Sequence, residues 1–226
     1  MPRPRHPSRG RPPAAGGAAN PGEEASSAPR IIGGSLRGRR LDFVPDPRTR
    51  PMKDRVREAL FNLLGRGVAG SIAVDCFAGT GALGFEALSR GAKAAWFGER
   101  HFPTADALRR SATGLGVADR ATVRPGDVLL WARRLPEIPV DAPWTVFVSP
   151  PWSMFQSHTA ELMALVAALA SAAPAGSRMV VEADDTFDPV HLPDAAAWET
   201  RPMHPAVLFL RDLGPAGTPA VSDGPA

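Results

Sequence analysis

Apolar residues recur on two different periods along this chain. Over Lys53–Leu64 (KDRVREALFNLL), Val56, Leu60, Phe61 and Leu64 stand three or four apart, which predicts an amphipathic helix that Gly65 and Gly67 stop. From Ser71 onward, short β-prone apolar runs alternate with longer helical stretches. Strands are predicted over Ser71–Cys76, Ala94–Gly98, Ala121–Pro125, Trp144–Val148 and Arg178–Ala183. Helices are predicted over Ala82–Arg90, Phe102–Leu115, Val128–Leu135 and Ser157–Ala172. Two later β-prone segments, near Ala197–Arg201 and Ala206–Arg211, are expected to close the sheet as a hairpin. Repeated βα units of this length require a mostly parallel sheet, here of seven strands, with helices on both faces and ligands at the strand carboxyl ends.

Ahead of this core, Arg30–Val44 (RIIGGSLRGRRLDFV) has short apolar ends around glycines and arginines, the pattern of a basic β-hairpin. Residues 1–29 and 214–226 are rich in Pro, Gly and Ala with almost nothing to bury, and disorder is predicted for both. The expected organisation is therefore a basic tail over 1–29, a hairpin and helix over 30–65, an α/β domain over 66–213 and a second tail over 214–226.

Charge sharpens this division. Residues 1–58 carry 13 Lys and Arg against 6 Asp and Glu, out of 26 and 23 in the whole chain, so a front end of net +7 precedes a body of net −4. A basic front end favours a polyphosphate partner through counterion release, without implying any sequence preference. An arginine-rich tail that only aids solubility is the plainer alternative. No apolar run approaches the ~20 residues of a membrane span, and the N-terminus lacks the apolar stretch of a secretory signal. The single cysteine, Cys76, excludes an internal disulfide and a cysteine-based zinc site. The five histidines show no metal-ligand spacing, so no metal is expected, and a cytoplasmic home is the simplest reading.

The first core strand runs into Asp75–Cys76–Phe77–Ala78–Gly79–Thr80–Gly81–Ala82–Leu83–Gly84. Glycines at 79, 81 and 84 fit a nucleotide-binding turn, where backbone approaches the ligand and a helix start offers unpaired N–H groups. Glu99, at the end of the second strand, stands where an acid holds ribose hydroxyls. The glycines alone do not choose between a nicotinamide cofactor and S-adenosylmethionine. Asp75 favours the latter, because a carboxylate suits a cationic methionine end better than a pyrophosphate. An unliganded strand–helix turn is the bland reading, with Cys76 only a small buried side chain. Asp127, after the third strand, reads as a helix N-cap, as an adenine contact, or as both.

The fourth strand ends in Ser149–Pro150–Pro151–Trp152. Two prolines stiffen the backbone and remove two donors, leaving carbonyls to face the cleft, and the tryptophan offers a stacking surface for an unpaired base. Methylation of an exocyclic amine needs this arrangement, since acceptors must draw the amine hydrogens out of the ring plane to free the nitrogen lone pair. A proline-stiffened turn with a packing tryptophan is the alternative. His158 and Glu161 read as an exposed helix face, His101, His191 and His204 as scattered, and Glu182 with Asp184–Asp185 as solvated charges at a strand end.

Three separated segments, Arg30–Leu41, Arg50–Leu64 and Asp75–Ala92, closely resemble the bacterial 16S rRNA guanine-N2 methyltransferases, and the likeness extends over roughly Arg30–Leu213. The resemblance implies a Rossmann-like class I methyltransferase fold with an N-terminal hairpin extension, and S-adenosylmethionine as methyl donor. It implies 16S rRNA in a small-subunit assembly intermediate as partner, one guanine N2 as target, and action as a monomer. It places Asp75, Gly79 and Gly81 around the methionine part of the cofactor, Glu99 at the ribose and Asp127 at the adenine, with Phe77, Ala78, Thr80, Arg100 and Val128 also binding the cofactor. Ser149, Pro150, Pro151 and Trp152 would hold the flipped base, and Arg30, Arg37, Arg39, Arg40 and Arg50 would meet phosphates.

Two positions depart from the family pattern. The catalytic loop usually opens with Asp or Asn and closes with Tyr or Phe; here Ser149 and Trp152 stand there. Met52 replaces a small hydroxyl residue. Loss of one well-placed polar contact in a transition state costs ~3 kcal/mol, about a hundredfold in rate. An RNA-binding assembly factor without efficient chemistry is therefore a second reading, an amine methyltransferase with another target a third, and a nicotinamide oxidoreductase a fourth.

Overall fold

The computed structural model describes residues 28–45 and 52–214. The tails predicted over 1–29 and 214–226 fall almost wholly outside these residues, as does Arg50.

Seven strands form one sheet in the order β3-β2-β1-β4-β5-β7-β6, with β1 Ile72–Asp75, β2 Ala94–Glu99, β3 Ala121–Pro125, β4 Trp144–Val148, β5 Ser177–Asp184, β6 Glu199–Met203 and β7 Ala206–Leu213. Strands β1 to β5 are mutually parallel, whereas β7 runs antiparallel between β5 and β6. This is the expected doubly wound sheet with its closing hairpin. The chain order reverses at β1, whose neighbours are β2 and β4, so a crevice opens beyond the carboxyl ends of these strands.

The helices are α1 Asp54–Leu64, α2 Ala82–Ser89, α3 Phe102–Leu115, α4 Met154–Ser157 and α5 Thr159–Ala172. Central strands buried on both faces give two cores. On one side, α1, α2 and α3 pack Leu60, Phe61, Phe85 and Leu108 against Ala73, Phe97, Phe147 and Val180. On the other, α5 packs Leu162, Leu165, Val166 and Leu169 against Val74, Val146, Met179 and Val181. Alternate strand residues face opposite cores, which is why β1 and β4 read as unbroken apolar runs.

Three predicted elements differ in extent or form. The basic hairpin is short: one antiparallel bridge, Arg30 with Arg40, flanked by Leu41 N–H to the Pro29 carbonyl (2.8 Å), Ile31 N–H to the Arg39 carbonyl (3.0 Å) and Gly38 N–H to the Ile31 carbonyl (2.8 Å), with Gly34 and Gly38 at positive φ in its turn. The helix expected over Val128–Leu135 is a single 3-10 turn, Val128–Ala132, with Pro136 close behind. The long helix expected over Ser157–Ala172 is present as α5, Thr159–Ala172, and a short α4, Met154–Ser157, precedes it, the two parted at His158, whose backbone leaves the helical region (φ −140°, ψ 34°).

The N-terminal segment docks through buried polar groups. Glu86 of α2, fully buried, accepts the Ile32 backbone N–H at 2.8 Å and the Arg90 guanidinium at 2.8 Å, with the buried Arg57 guanidinium 3.9 Å away. Arg57 donates to the Arg30 carbonyl (2.6 Å) and to Asp54 (2.9 Å). Ser89 accepts the Leu36 N–H at 2.9 Å. Ile31 and Leu41 thereby join the same core as α2 and α3.

Candidate active site

Each candidate functional carboxylate sits where a parallel strand stops. β1 delivers Asp75, β2 Glu99 and the turn after β3 Asp127, while β4 leads into Ser149. These ends converge on one cavity of about 370 Å³, within the usual range for small-molecule sites.

Asp75 lies on the cavity floor and is 1% exposed. Its Oδ2 accepts the Gly84 N–H at 3.1 Å, and its Oδ1 has no hydrogen-bond partner among the described residues. Burial, offset in part by the Gly84 bond and reinforced by the neighbouring charge of Glu99, pushes its carboxyl up to about 7. A buried acceptor without a donor is costly. A cationic group in the cavity would meet that need.

The glycine turn shapes the rest of the floor. Gly81, at φ 77°, precedes α2 as its N-cap, and a Cβ there would lie 2.5 Å from Leu108 and 2.6 Å from Phe85. A Cβ on Gly84 would stand 2.3 Å from the Phe97 ring, so this glycine lets α2 press onto β2. Glu99 ties the turn down: Oε2 accepts the Gly79 N–H at 2.9 Å and Oε1 the His101 N–H at 2.7 Å. Each oxygen keeps a second lone pair, so the carboxylate is oriented and can still accept hydroxyls. Asp127 is exposed and caps its 3-10 turn through the Leu129 N–H at 3.0 Å, using one carboxylate oxygen.

The structure brings together Asp75, Phe77, Ala78, Gly79, Thr80, Glu99, Arg100, Asp127, Val128, Ser149, Pro150, Pro151 and Trp152 around this cavity. Gly81 is absent from the lining; it shapes the turn from beneath. The Pro151 carbonyl, expected to face the cleft, instead accepts the Met154 N–H at 2.8 Å and starts α4. Arg30, Arg37, Arg39 and Arg40 are exposed on the N-terminal segment, away from the cavity lining. Of these, Arg30 pairs with Asp54 at 3.3 Å and Arg39 donates to the Gly114 carbonyl at 2.5 Å.

Glu182 overturns an expectation. It is no solvated loop charge: it is 7% exposed, lines the cavity, and accepts the Ser149 hydroxyl proton. Burial raises its carboxyl above the usual range, and the Ser149 bond opposes part of that rise. Its signal in the sequence was a carboxylate at a strand end, the same as for Asp75 and Glu99. His101 and His204, read as scattered, also line the cavity, along with Met52 and Lys53 from the start of α1 and Met203 from β6.

Comparison with known proteins agrees with this architecture. Over 70 residues the chain is 53% identical to ribosomal RNA small subunit methyltransferase D of Escherichia coli K12, a stretch covering 31% of this chain and 35% of that protein. The chain thus spans about a third of the length of that curated relative in the matched stretch. A solved structure described as "Putative methyltransferase yhhF from Escherichia coli" superposes with a TM-score of 0.63 at 31% identity, over 82% of this chain and 99% of that one. An RNA methyltransferase from Salinibacter ruber, solved with S-adenosyl-L-homocysteine, superposes with a TM-score of 0.53 over 77% of this chain and all of that one. At 20% identity that likeness speaks for the fold, the Rossmann-like fold of class I methyltransferases. The family model described as "Conserved hypothetical protein 95" matches residues 29–200, and the chain belongs to that family.

Proposed function

We propose that this chain transfers a methyl group from S-adenosylmethionine to the exocyclic N2 of a guanine in small-subunit rRNA. The observation that carries the reading is that one cavity has the half-paired Asp75 on its floor and the Ser149–Trp152 turn on its wall. Bound there, S-adenosylmethionine supplies a methyl group on a cationic sulfur. The residues present fit it: Asp75 Oδ1 would receive the ammonium of its methionine end, Glu99 the ribose hydroxyls and Asp127 the adenine amino group, with Phe77–Thr80, Arg100 and Val128 around them.

On the acceptor side, Trp152 would stack on the flipped base and Pro150–Pro151 would keep that wall rigid. Guanine suits this wall because its N2 amine adjoins the N1–H, a pair of neighbouring donors, and the Ser149–Glu182 end offers acceptors. The segment over 30–65, with its arginines, is proposed to grip rRNA phosphates in an assembly intermediate, the protein acting as a cytoplasmic monomer. The names of the matched relatives support the rRNA target.

The test is transfer of labelled methyl groups to small-subunit particles from cells lacking this protein, followed by nucleoside mass spectrometry. One N2-methylguanosine per particle is expected. Transfer to a different base would replace the guanine assignment. Ser149 favours a second reading, an RNA-binding factor without chemistry, which is the outcome if no methyl group is transferred although rRNA binds.

A further inference from the structure

Ser149 and Glu182 lie side by side because of the sheet register. β4 and β5 are parallel neighbours with Val148 opposite Val181, so the next residue along each strand direction, Ser149 and Glu182, faces the same crevice. The Ser149 hydroxyl donates to Glu182 Oε2, and both residues line the cavity beside the proline turn.

A lone serine is an ambiguous neighbour for an amine. Its single proton can turn toward the amine nitrogen and engage the very lone pair that must attack, or turn away and leave oxygen lone pairs for the amine hydrogens. A carboxylate removes the ambiguity. Glu182 in its ionised form is acceptor-only, so the Ser149 proton points to it and the hydroxyl oxygen presents only lone pairs to the cleft. The donated bond is charge-assisted and polarises that oxygen, making it a better acceptor than an isolated hydroxyl.

We propose that Glu182 is a positioning residue for the methyl-accepting amine: it holds the Ser149 proton, fixes Ser149 Oγ as a pure acceptor, and with it stands in for the Asp or Asn that the resembled loop carries. The inference rests on the methyl-transfer reading above. Glu182 takes up no proton in the reaction; the proton shed by the amine passes to water.

The experiment uses the full chain with undermethylated small-subunit particles and compares S149A, E182A, E182Q and the S149A/E182A pair. S149A and E182A each lose ~100-fold in kcat, the scale of one lost polar contact in a transition state, with the KM for particles little changed. The double variant is no slower than S149A, because Glu182 acts through Ser149. E182Q, which still offers an amide oxygen to the Ser149 proton, recovers part of the loss and removes the acidic limb of the kcat profile. Donor binding by calorimetry stays the same across the set.

Losses that multiply in the double variant, or an E182A enzyme with wild-type kcat, would overturn the proposal. An independent readout follows the Glu182 carboxyl by isotope-edited infrared titration. Its pKa rises in S149A, which removes the bond that opposes the effect of burial; an unmoved titration sinks the pairing whether or not transfer is detected. Absence of methyl transfer by the wild type, with that infrared shift present, would instead count against the methyltransferase reading alone.

Discussion

Asp75 and Gly84 are joined by one hydrogen bond of 3.1 Å that uses one oxygen of a buried carboxylate lining the cavity and leaves the other without a hydrogen-bond partner among the described residues. With its carboxyl pushed up to about 7, Asp75 is shared between protonated and ionised forms near neutrality, and a cation entering the cavity must find it ionised.

That requirement makes donor affinity depend on pH. Below about 7, where Asp75 holds its proton, the dissociation constant for S-adenosylmethionine should rise roughly tenfold per pH unit, and above about 8 it should level off. Isothermal calorimetry from about pH 5 to about pH 8.5, a span that brackets the titration of this carboxyl, reads the effect directly. A flat affinity would mean that Asp75 does not face the ammonium.

The same carboxyl affects stability with a definite sign. Its folded pKa stands above the unfolded value, so its stabilising share is complete below about 4, and is lost as pH rises through about 7. Asp75→Asn should therefore raise the melting temperature of the ligand-free protein at about pH 8, by an amount on the order of a few kcal/mol in stability. The same substitution should abolish donor binding. Thermal unfolding of both proteins at acid and alkaline pH checks it: the gap between them should close in acid.

Glu86 is expected to contribute heavily to stability. Glu86→Ala takes the acceptor from Arg90 and the Ile32 N–H and leaves the buried Arg57 with only Asp54 for a counter-charge, and breaking a buried ionic network costs about 3–5 kcal/mol. Urea unfolding should show a lower midpoint with an unchanged slope.

Gly84→Ala probes the seat of helix α2. Its new methyl would meet the Phe97 ring at 2.3 Å, inside any permitted contact, so the helix must shift. Overpacking of this kind costs about 1–3 kcal/mol. Because Gly84 also holds Asp75, donor affinity should fall alongside stability, and both are measurable on one preparation.

Arg37 and Arg40 are exposed on the N-terminal segment. Replacing both with Gln should weaken binding to small-subunit particles and reduce the slope of log affinity against log salt by roughly one to two, while leaving donor affinity intact. A salt titration by filter binding gives the slope. No change would place the RNA-contacting surface elsewhere.

The strand–helix alternation was legible because central parallel strands are apolar on both sides, and each strand-end acid was legible because it interrupts such a run. Asp75 and Glu99 were found in this way. Glu182 carried the same mark but sat next to Asp184 and Asp185, so three acids close together resembled a solvated loop, and only the register of β4 with β5 shows that its partner is Ser149. The short helix α4 was not legible, since its four residues are too few to show a period, although Met154 and Phe155 join the same core as α5. The N-terminal segment was legible as a turn of chain paired on itself, with Leu41 N–H on the Pro29 carbonyl and Ile31 N–H on the Arg39 carbonyl, but its docking to Glu86 and Ser89, some fifty residues distant in the chain, left no local mark.

Helix α2 links these observations. Its first turn fastens to Asp75 through Gly84, and further along the same rod Glu86 and Ser89 hold the N-terminal segment. Gly84, Glu86 and Ser89 lie within five residues of one another, so the cavity floor and the N-terminal segment are fastened to less than two turns of the same helix. A substitution that displaces this helix would therefore disturb both attachments at once.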